Sequence, residues 1–137
     1  MILEAWFEER QWENSRIMNT CETGRNAEQL AARYLKARGY QIWKSNWRWG
    51  KKELDLIAVQ QGELVIVEVK ARIGNSVNHP SEVIHLKKQR NIVLAADAFI
   101  RLHNSKMPTR FDVIAVIYSS EGVEIDHIEN AFFPEVE

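Results

Sequence analysis

The chain has 137 residues and a formal net charge of -1, with 45% hydrophobic and 27% charged residues. That length suits one folded core, and that composition excludes a disordered chain of high net charge. No apolar run approaches the roughly 20 residues needed to span a bilayer, and Glu4, Glu8 and Glu9 stand where a secretory leader needs a basic stretch, so a cytoplasmic protein with no membrane partner is expected. Cys21 is the sole cysteine, which rules out an intramolecular disulfide and fits a reducing compartment.

Residues 1–19 match the rest poorly. Leu3, Trp6 and Phe7 make at most one amphipathic turn in an acidic stretch, so an appended arm is expected, either disordered or packing through Trp6 and Trp12 on a second subunit of a homodimer. The remainder, 20–137, is expected to be one domain. From Thr23 to Arg38, Ala27, Leu30, Ala31, Tyr34 and Leu35 recur at the helical period, and Gly39 supplies the stop. Three strands follow at Gln41–Trp49, Glu53–Val59 and Glu63–Lys70, rich in aromatic and β-branched residues. A long helix then starts with Pro80 at its first position. Val83, Ile84, Leu86, Ile92, Val93, Leu94, Ala96 and Phe99 form its buried face, and it ends near His103 and Asn104. Phe111–Tyr118 and Val123–His127 are the last strands, joined by a Ser-Ser-Glu-Gly turn. The order α-β-β-β-α-β-β describes an α/β chain.

The small net charge hides segregation. From Gln29 to Lys52 there is no acid, while Arg33, Lys36, Arg38, Lys44, Arg48, Lys51 and Lys52 are basic; after Arg110 the charged residues are all acidic. The basic run is either a solvated face or a phosphate-binding surface.

The hairpin from Glu53 to Lys70 carries the sharpest signal. A two-residue turn at Gln61-Gly62 sets Val59 against Leu64, Ile57 against Ile66, and Asp55 against Glu68. Two like charges then end a ladder of apolar pairs, which is destabilising without compensation. A divalent cation is the economical compensation, because Mg²⁺ or Mn²⁺ takes one or two carboxylates plus waters and phosphate oxygens. Lys70 shares Glu68's face of its strand, where it would either orient water and stabilise a phosphoryl charge or form an ion pair with Glu53.

The runs Glu53-Leu54-Asp55 and Glu68-Val69-Lys70 resemble the signature of the restriction-endonuclease-like superfamily, an Asp followed by acid-x-Lys. More narrowly, the chain is similar to the YraN-like family of bacterial proteins, related in fold to archaeal Holliday-junction resolvases. Gly24-Arg25-Asn26-Ala27-Glu28, Pro80 with Lys87 and Arg90, Arg110-Phe111-Asp112-Val113-Ile114 and His127-Ile128-Glu129-Asn130-Ala131-Phe132 carry that resemblance, which runs from Gly24 to Phe132. It implies a central mixed sheet of about five strands flanked by helices, with Asp55, Glu68 and the Val69 carbonyl as metal ligands, Lys70 as catalytic lysine and Glu28 as an additional acid. The chain departs from the pattern at Lys52, where relatives carry Gly.

Arg33, Lys44, Arg48, Lys51, Lys52, Arg72, Lys87 and Arg90 are the candidate nucleic-acid contacts; Lys87, Lys88 and Arg90, near the start of the long helix, either touch phosphate or face water. Trp43, Trp47 and Trp49 are odd-numbered on one strand and Lys44 and Arg48 even, so indoles and cations are expected on opposite faces, the indoles either packing on the core or stacking on bases. His79, His85, His103 and His127 lack metal-site spacing and are expected at the surface or at helix ends, and Asp112 is expected to be structural. Three functions compete: a Mg²⁺- or Mn²⁺-dependent nuclease acting on DNA, branched or structured DNA by analogy; a non-catalytic nucleic-acid-binding module; and an interaction protein whose carboxylates and Lys70 satisfy one another.

Overall fold

The computed structural model describes residues 20–73 and 84–134, with side chains from residue 26 onward. Helix α1 (Thr20–Ala37) is followed by strands β1 (Gln41–Trp49), β2 (Lys52–Gln60) and β3 (Glu63–Ile73), helix α2 (Leu86–Leu102), and strands β4 (Thr109–Ser119) and β5 (Gly122–Ile128). The expected arm over 1–19, His79 and the expected helix start at Pro80 and Val83 lie outside the described residues.

Helix α1 buries Ala27, Leu30, Ala31 and Leu35, a stripe at three- and four-residue spacing. It closes as the sequence predicts. Tyr40 N–H donates to the Leu35 carbonyl at 3.0 Å and Gly39 N–H to that of Lys36 at 3.1 Å, with Gly39 at φ 87°, a conformation a β-carbon would strain.

Among the described residues five strands form one sheet in the order β1-β2-β3-β4-β5. It is mixed: β3 and β4 run parallel and the other neighbours antiparallel. This is the α/β arrangement expected. Gln61 (φ 50°) and Gly62 (φ 77°) both turn left-handed, as a two-residue hairpin requires, and the register is the expected one: Val59 opposes Leu64 and Ile57 opposes Ile66. Strand β3 is central and buried on both faces. Val65 and Val67 join α1, Leu56, Ala58 and Ile114 in one apolar cluster. Leu64 and Ile66 join α2, Ile57, Phe111 and Val113 in the other. Fully burying side chains of this size contributes about 1.5–3 kcal/mol each, enough to hold the register against a one-residue slip.

Helix α2 departs from expectation at its start and on its face. Ile84 precedes the helix, and Leu86 and Leu94 are 55% and 49% exposed, whereas Ala95, Ala96 and Ala98 are buried beside Ile92 and Phe99. The face that α2 turns to the sheet is therefore lined by alanines with Ile92 and Phe99, and the larger Leu86 and Leu94 lie toward solvent.

Strand β1 also corrects the sequence reading. Its register shifts between Ile42 and Lys44, leaving Trp43 in a bulge, so Lys44 opposes Ile57 while Trp47 opposes Leu54. The strict alternation of indoles and cations is broken by that one extra residue. Trp47 packs edge-on against Phe99 at 5.3 Å, whereas Trp43 and Trp49 remain 40% and 44% exposed.

On the α1 side, the buried Asp112 anchors a closed polar network. It accepts two hydrogen bonds from Arg110 at 2.9 Å, one contact with His127 Nε2 at 2.8 Å, and the Asn130 N–H at 3.1 Å. Arg110 also donates to the Tyr40 hydroxyl at 2.8 Å and to Glu63 at 3.2 Å. Asp112 is structural, as expected, but His127 is not a surface residue: its side chain is 6% exposed and lies edge-on to Tyr34. Burial pushes the Asp112 carboxyl up, yet hydrogen bonds from His127, Arg110 and Asn130 outweigh it and hold the carboxyl below its ordinary value. Asp112→Ala, which leaves Arg110 buried without its partner, should lose on the order of 3–5 kcal/mol in urea unfolding at pH 7. Because the folded-state pKa is depressed, this contribution is present above the unfolded value near 4 and disappears as pH falls below it, so the gap between parent and variant should shrink in acid.

Candidate active site

The β2–β3 pairing is regular from Gln60↔Glu63 to Leu56↔Val67, and the site begins where it stops. Leu54 and Ile57, three residues apart, both face α2, so the alternation of β2 is interrupted across Asp55. On β1, Asn46 lies between the pairs Ser45↔Leu56 and Trp47↔Leu54, beside Asp55, and takes a left-handed φ of 52°. Both strands are therefore irregular at the same level. A freed backbone donor on β3 is used at once: the Val69 N–H donates to Asp55 Oδ2 at 2.8 Å.

That bond swings the Asp55 carboxyl toward β3, where Glu68 is 8% exposed. Burial raises the Asp55 carboxyl and the nearby Glu68 charge raises it further, against the Val69 N–H, pushing it up to about 8. A hydrogen bond between the two carboxyls favours the proton on Asp55. Burial also raises Glu68, opposed chiefly by the charge of Lys88. The pair thus retains a proton well above the ordinary carboxyl range. Glu28, half-buried on α1, is raised by burial, lowered by a hydrogen bond with Asn46, and raised again by Asp55 and Glu53. The first helix therefore does bring Glu28 within the field of Asp55.

Lys70 is half-buried on β3. Burial and the neighbouring Arg72 lower its pKa, with Glu68 opposing and Lys88 reinforcing the shift. Glu53 makes an ion pair with Arg48 at 3.6 Å. Of the three basic residues at the start of the long helix, Lys88 is the one that meets this site: its Nζ lies 3.5 Å from Glu68 Oε1. Its neighbours Lys87 and Arg90 were singled out with it as basic helix residues, but nothing in the linear spacing shows which of the three turns toward β3.

The remaining candidates divide. Arg72 on β3 is half-buried, its guanidinium donating to the Ala71 carbonyl at 2.9 Å. Lys87 and Arg90 are exposed on the first turns of α2, and Lys51 is exposed in the β1–β2 turn. Lys52 sits 5.7 Å from the Trp49 ring centre. Lys44 and Arg48 are exposed on β1, and Arg33 is exposed on α1, against the other face of the sheet from α2.

Among the described residues no group of three or more His, Cys, Asp or Glu side chains gathers closely enough to hold a metal ion. The side-chain donors at hand are the carboxyls of Asp55 and Glu68. Carboxylates suit Mg²⁺ or Mn²⁺, hard ions that keep several waters. Asp55→Asn keeps an acceptor for the Val69 N–H and removes the repulsion, so without metal it should raise stability by about 1 kcal/mol near pH 8. A raised folded-state pKa contributes stability below the unfolded value near 4 and loses it as pH rises toward 8, so the advantage of the variant should widen across that window in urea unfolding. An unchanged or lower midpoint at pH 8 would contradict the electrostatic account.

Among the described residues no helix is long and apolar enough to cross a membrane. Residues 27–116 match the model of the uncharacterised protein family UPF0102. A UPF0102 protein of Parabacteroides distasonis is 44% identical over 112 residues, covering 82% of this chain and 93% of the relative. One of Bacteroides thetaiotaomicron is 44% identical over 113 residues with the same coverage, and one of Chlorobium chlorochromatii is 41% identical over 123 residues, covering 85% and 95%. The matched segment contains Glu28, Asp55, Glu68, Lys70 and Lys88, and on these similarities the chain belongs to the UPF0102 family.

Proposed function

We propose that the protein is a divalent-metal-dependent nuclease acting on DNA in the cytoplasm, with branched or structured DNA as its substrate class. The observation that carries this reading is the meeting of Asp55 with the buried Glu68 at the end of the regular β2–β3 ladder, with Lys70 on the same strand as Glu68. Asp55, Glu68 and the Val69 carbonyl would hold Mg²⁺ or Mn²⁺. The bound ion supplies positive charge to phosphoryl oxygens. Lys70, whose ammonium is disfavoured by burial, orients water, accepts its proton and faces the charge growing on phosphorus. Glu28, hydrogen-bonded to Asn46 and within the field of Asp55, would be an additional acid reaching the metal from the first helix.

Exposed cations on the β1–β2 hairpin and on α2 support a polyanionic substrate, and the exposed Trp43 and Trp49 offer surfaces for unpaired bases. A second copy of the chain is the simplest way to cut both strands of a duplex, so a homodimer belongs to the proposal.

A panel of single-stranded, duplex, flapped and four-way DNA with Mg²⁺ or Mn²⁺ tests the reaction. Cutting should disappear in Asp55→Ala, Glu68→Ala and Lys70→Ala; DNA binding without cutting by the parent would favour the binding-module reading instead. Binding should weaken steeply between low and moderate salt, and a flat response would argue against the basic surface. At metal concentrations 100 times the Kd, the parent should gain about 2.7 kcal/mol of stability and Glu68→Ala essentially none. Equal gains would remove Glu68 from the ligand set.

A further inference from the structure

We propose that Lys88 is the exchangeable countercharge of this site: it balances Glu68 when no divalent ion is bound, and metal binding releases it to hold a phosphate oxygen of the nucleic acid. The inference rests on the nuclease reading above and assigns a role to a residue that reading does not use.

Three features lead to it. First, the contact is one-sided in its exposure. The Glu68 side chain is 10% exposed and that of Lys88 49%, so a buried carboxylate meets a cation that reaches in from the solvent side. Second, the two cations beside Glu68 differ in attachment. Lys70 follows Glu68 by two residues on β3 and is half-buried there, whereas Lys88 comes from α2 and is exposed to solvent. A divalent ion seated on the Glu68 oxygens repels an ammonium sharing them, and Lys88 has solvent to withdraw into. Third, the first turn of α2 contains no acid although helix N-termini favour acids, and it presents Lys87 and Lys88, with Arg90 following. Like charges on an already positive helix end are unfavourable until an anion approaches. Phosphate arriving at a metal on Glu68 would meet this cluster, and Lys88 is its member already turned toward the site.

The exchange gives opposite signs for two affinities. Calorimetric titration of the full chain with Mn²⁺ should give a Kd about 3- to 10-fold tighter in Lys88→Met, which keeps the stem and removes the competing charge. DNA binding should be nearly unaffected by Lys88→Met in chelator, where the ammonium is engaged by Glu68. In saturating Ca²⁺ it should weaken about 3- to 10-fold, with Lys88→Arg close to the parent. An unchanged or weaker Mn²⁺ affinity in Lys88→Met would overturn the proposal, as would an equal loss of DNA affinity with and without Ca²⁺. A parent that binds neither ion would overturn the nuclease reading together with this one, whereas a parent that binds them indistinguishably from the variant would overturn the exchange alone.

Discussion

Two carboxyl groups cannot both be charged at close range inside a protein without a nearby positive charge, and the β2–β3 hairpin forces Asp55 and Glu68 into that situation. The apolar pairs Val59↔Leu64, Ile57↔Ile66 and Leu56↔Val67 hold the register, because a slip of one residue would turn every buried side chain of β3 to the wrong face. Asp55 has little freedom within that register, since its carboxyl is tied to the Val69 N–H. The cost is met in part by a retained proton and by Lys88. Neither is a permanent partner, and this makes the position chemically open.

The same sheet contains the opposite solution. Asp112, fully buried, is surrounded by Arg110, His127 and the Asn130 N–H, and Arg110 is in turn bonded to Tyr40 and Glu63. The acid there is stabilised as a carboxylate and its neighbours are satisfied, as a structural network requires. The contrast lies in the sign of the shift: Asp112 is held below the ordinary carboxyl range and Asp55 above it. Burial acts in the same direction on both, so the difference comes from the partners: donors surround Asp112, whereas Asp55 meets the Glu68 charge and one backbone N–H.

Backbone irregularity coincides with the open site. Asn46 is left-handed within β1, the alternation of β2 breaks at Asp55, and Val69 donates to a side chain. Asn tolerates a positive φ better than most residues, which limits the strain. These departures tilt side chains out of the regular pleat and bring together groups from α1, β1, β2 and β3. They concern only a few positions: β1 and β2 are paired on both sides of Asn46, while the β2–β3 ladder ends at Leu56↔Val67.

Much of this was readable in the linear chain because it depends on short-range periodicity. The Schellman ending at Gly39, the parity of the hairpin about Gln61-Gly62, and hence the meeting of Asp55 with Glu68, follow from helix and strand periods and from turn chemistry. The family signature points to the same residues. What depends on packing was not readable. The bulge at Trp43 adds one residue and takes Trp43 out of the alternation expected of the three indoles. His127 resembles a surface histidine until β5 is laid beside β4 and Asp112. Leu86 and Leu94 fit an apolar helix face until α2 turns its alanines to the sheet. Lys88 was one of three equivalent basic residues until the angle of α2 over the sheet selected it. Residue type and period therefore determined which acids meet across a hairpin; the rotation of each helix and the local loss of register, set by long-range side-chain packing, decided which cation reaches them.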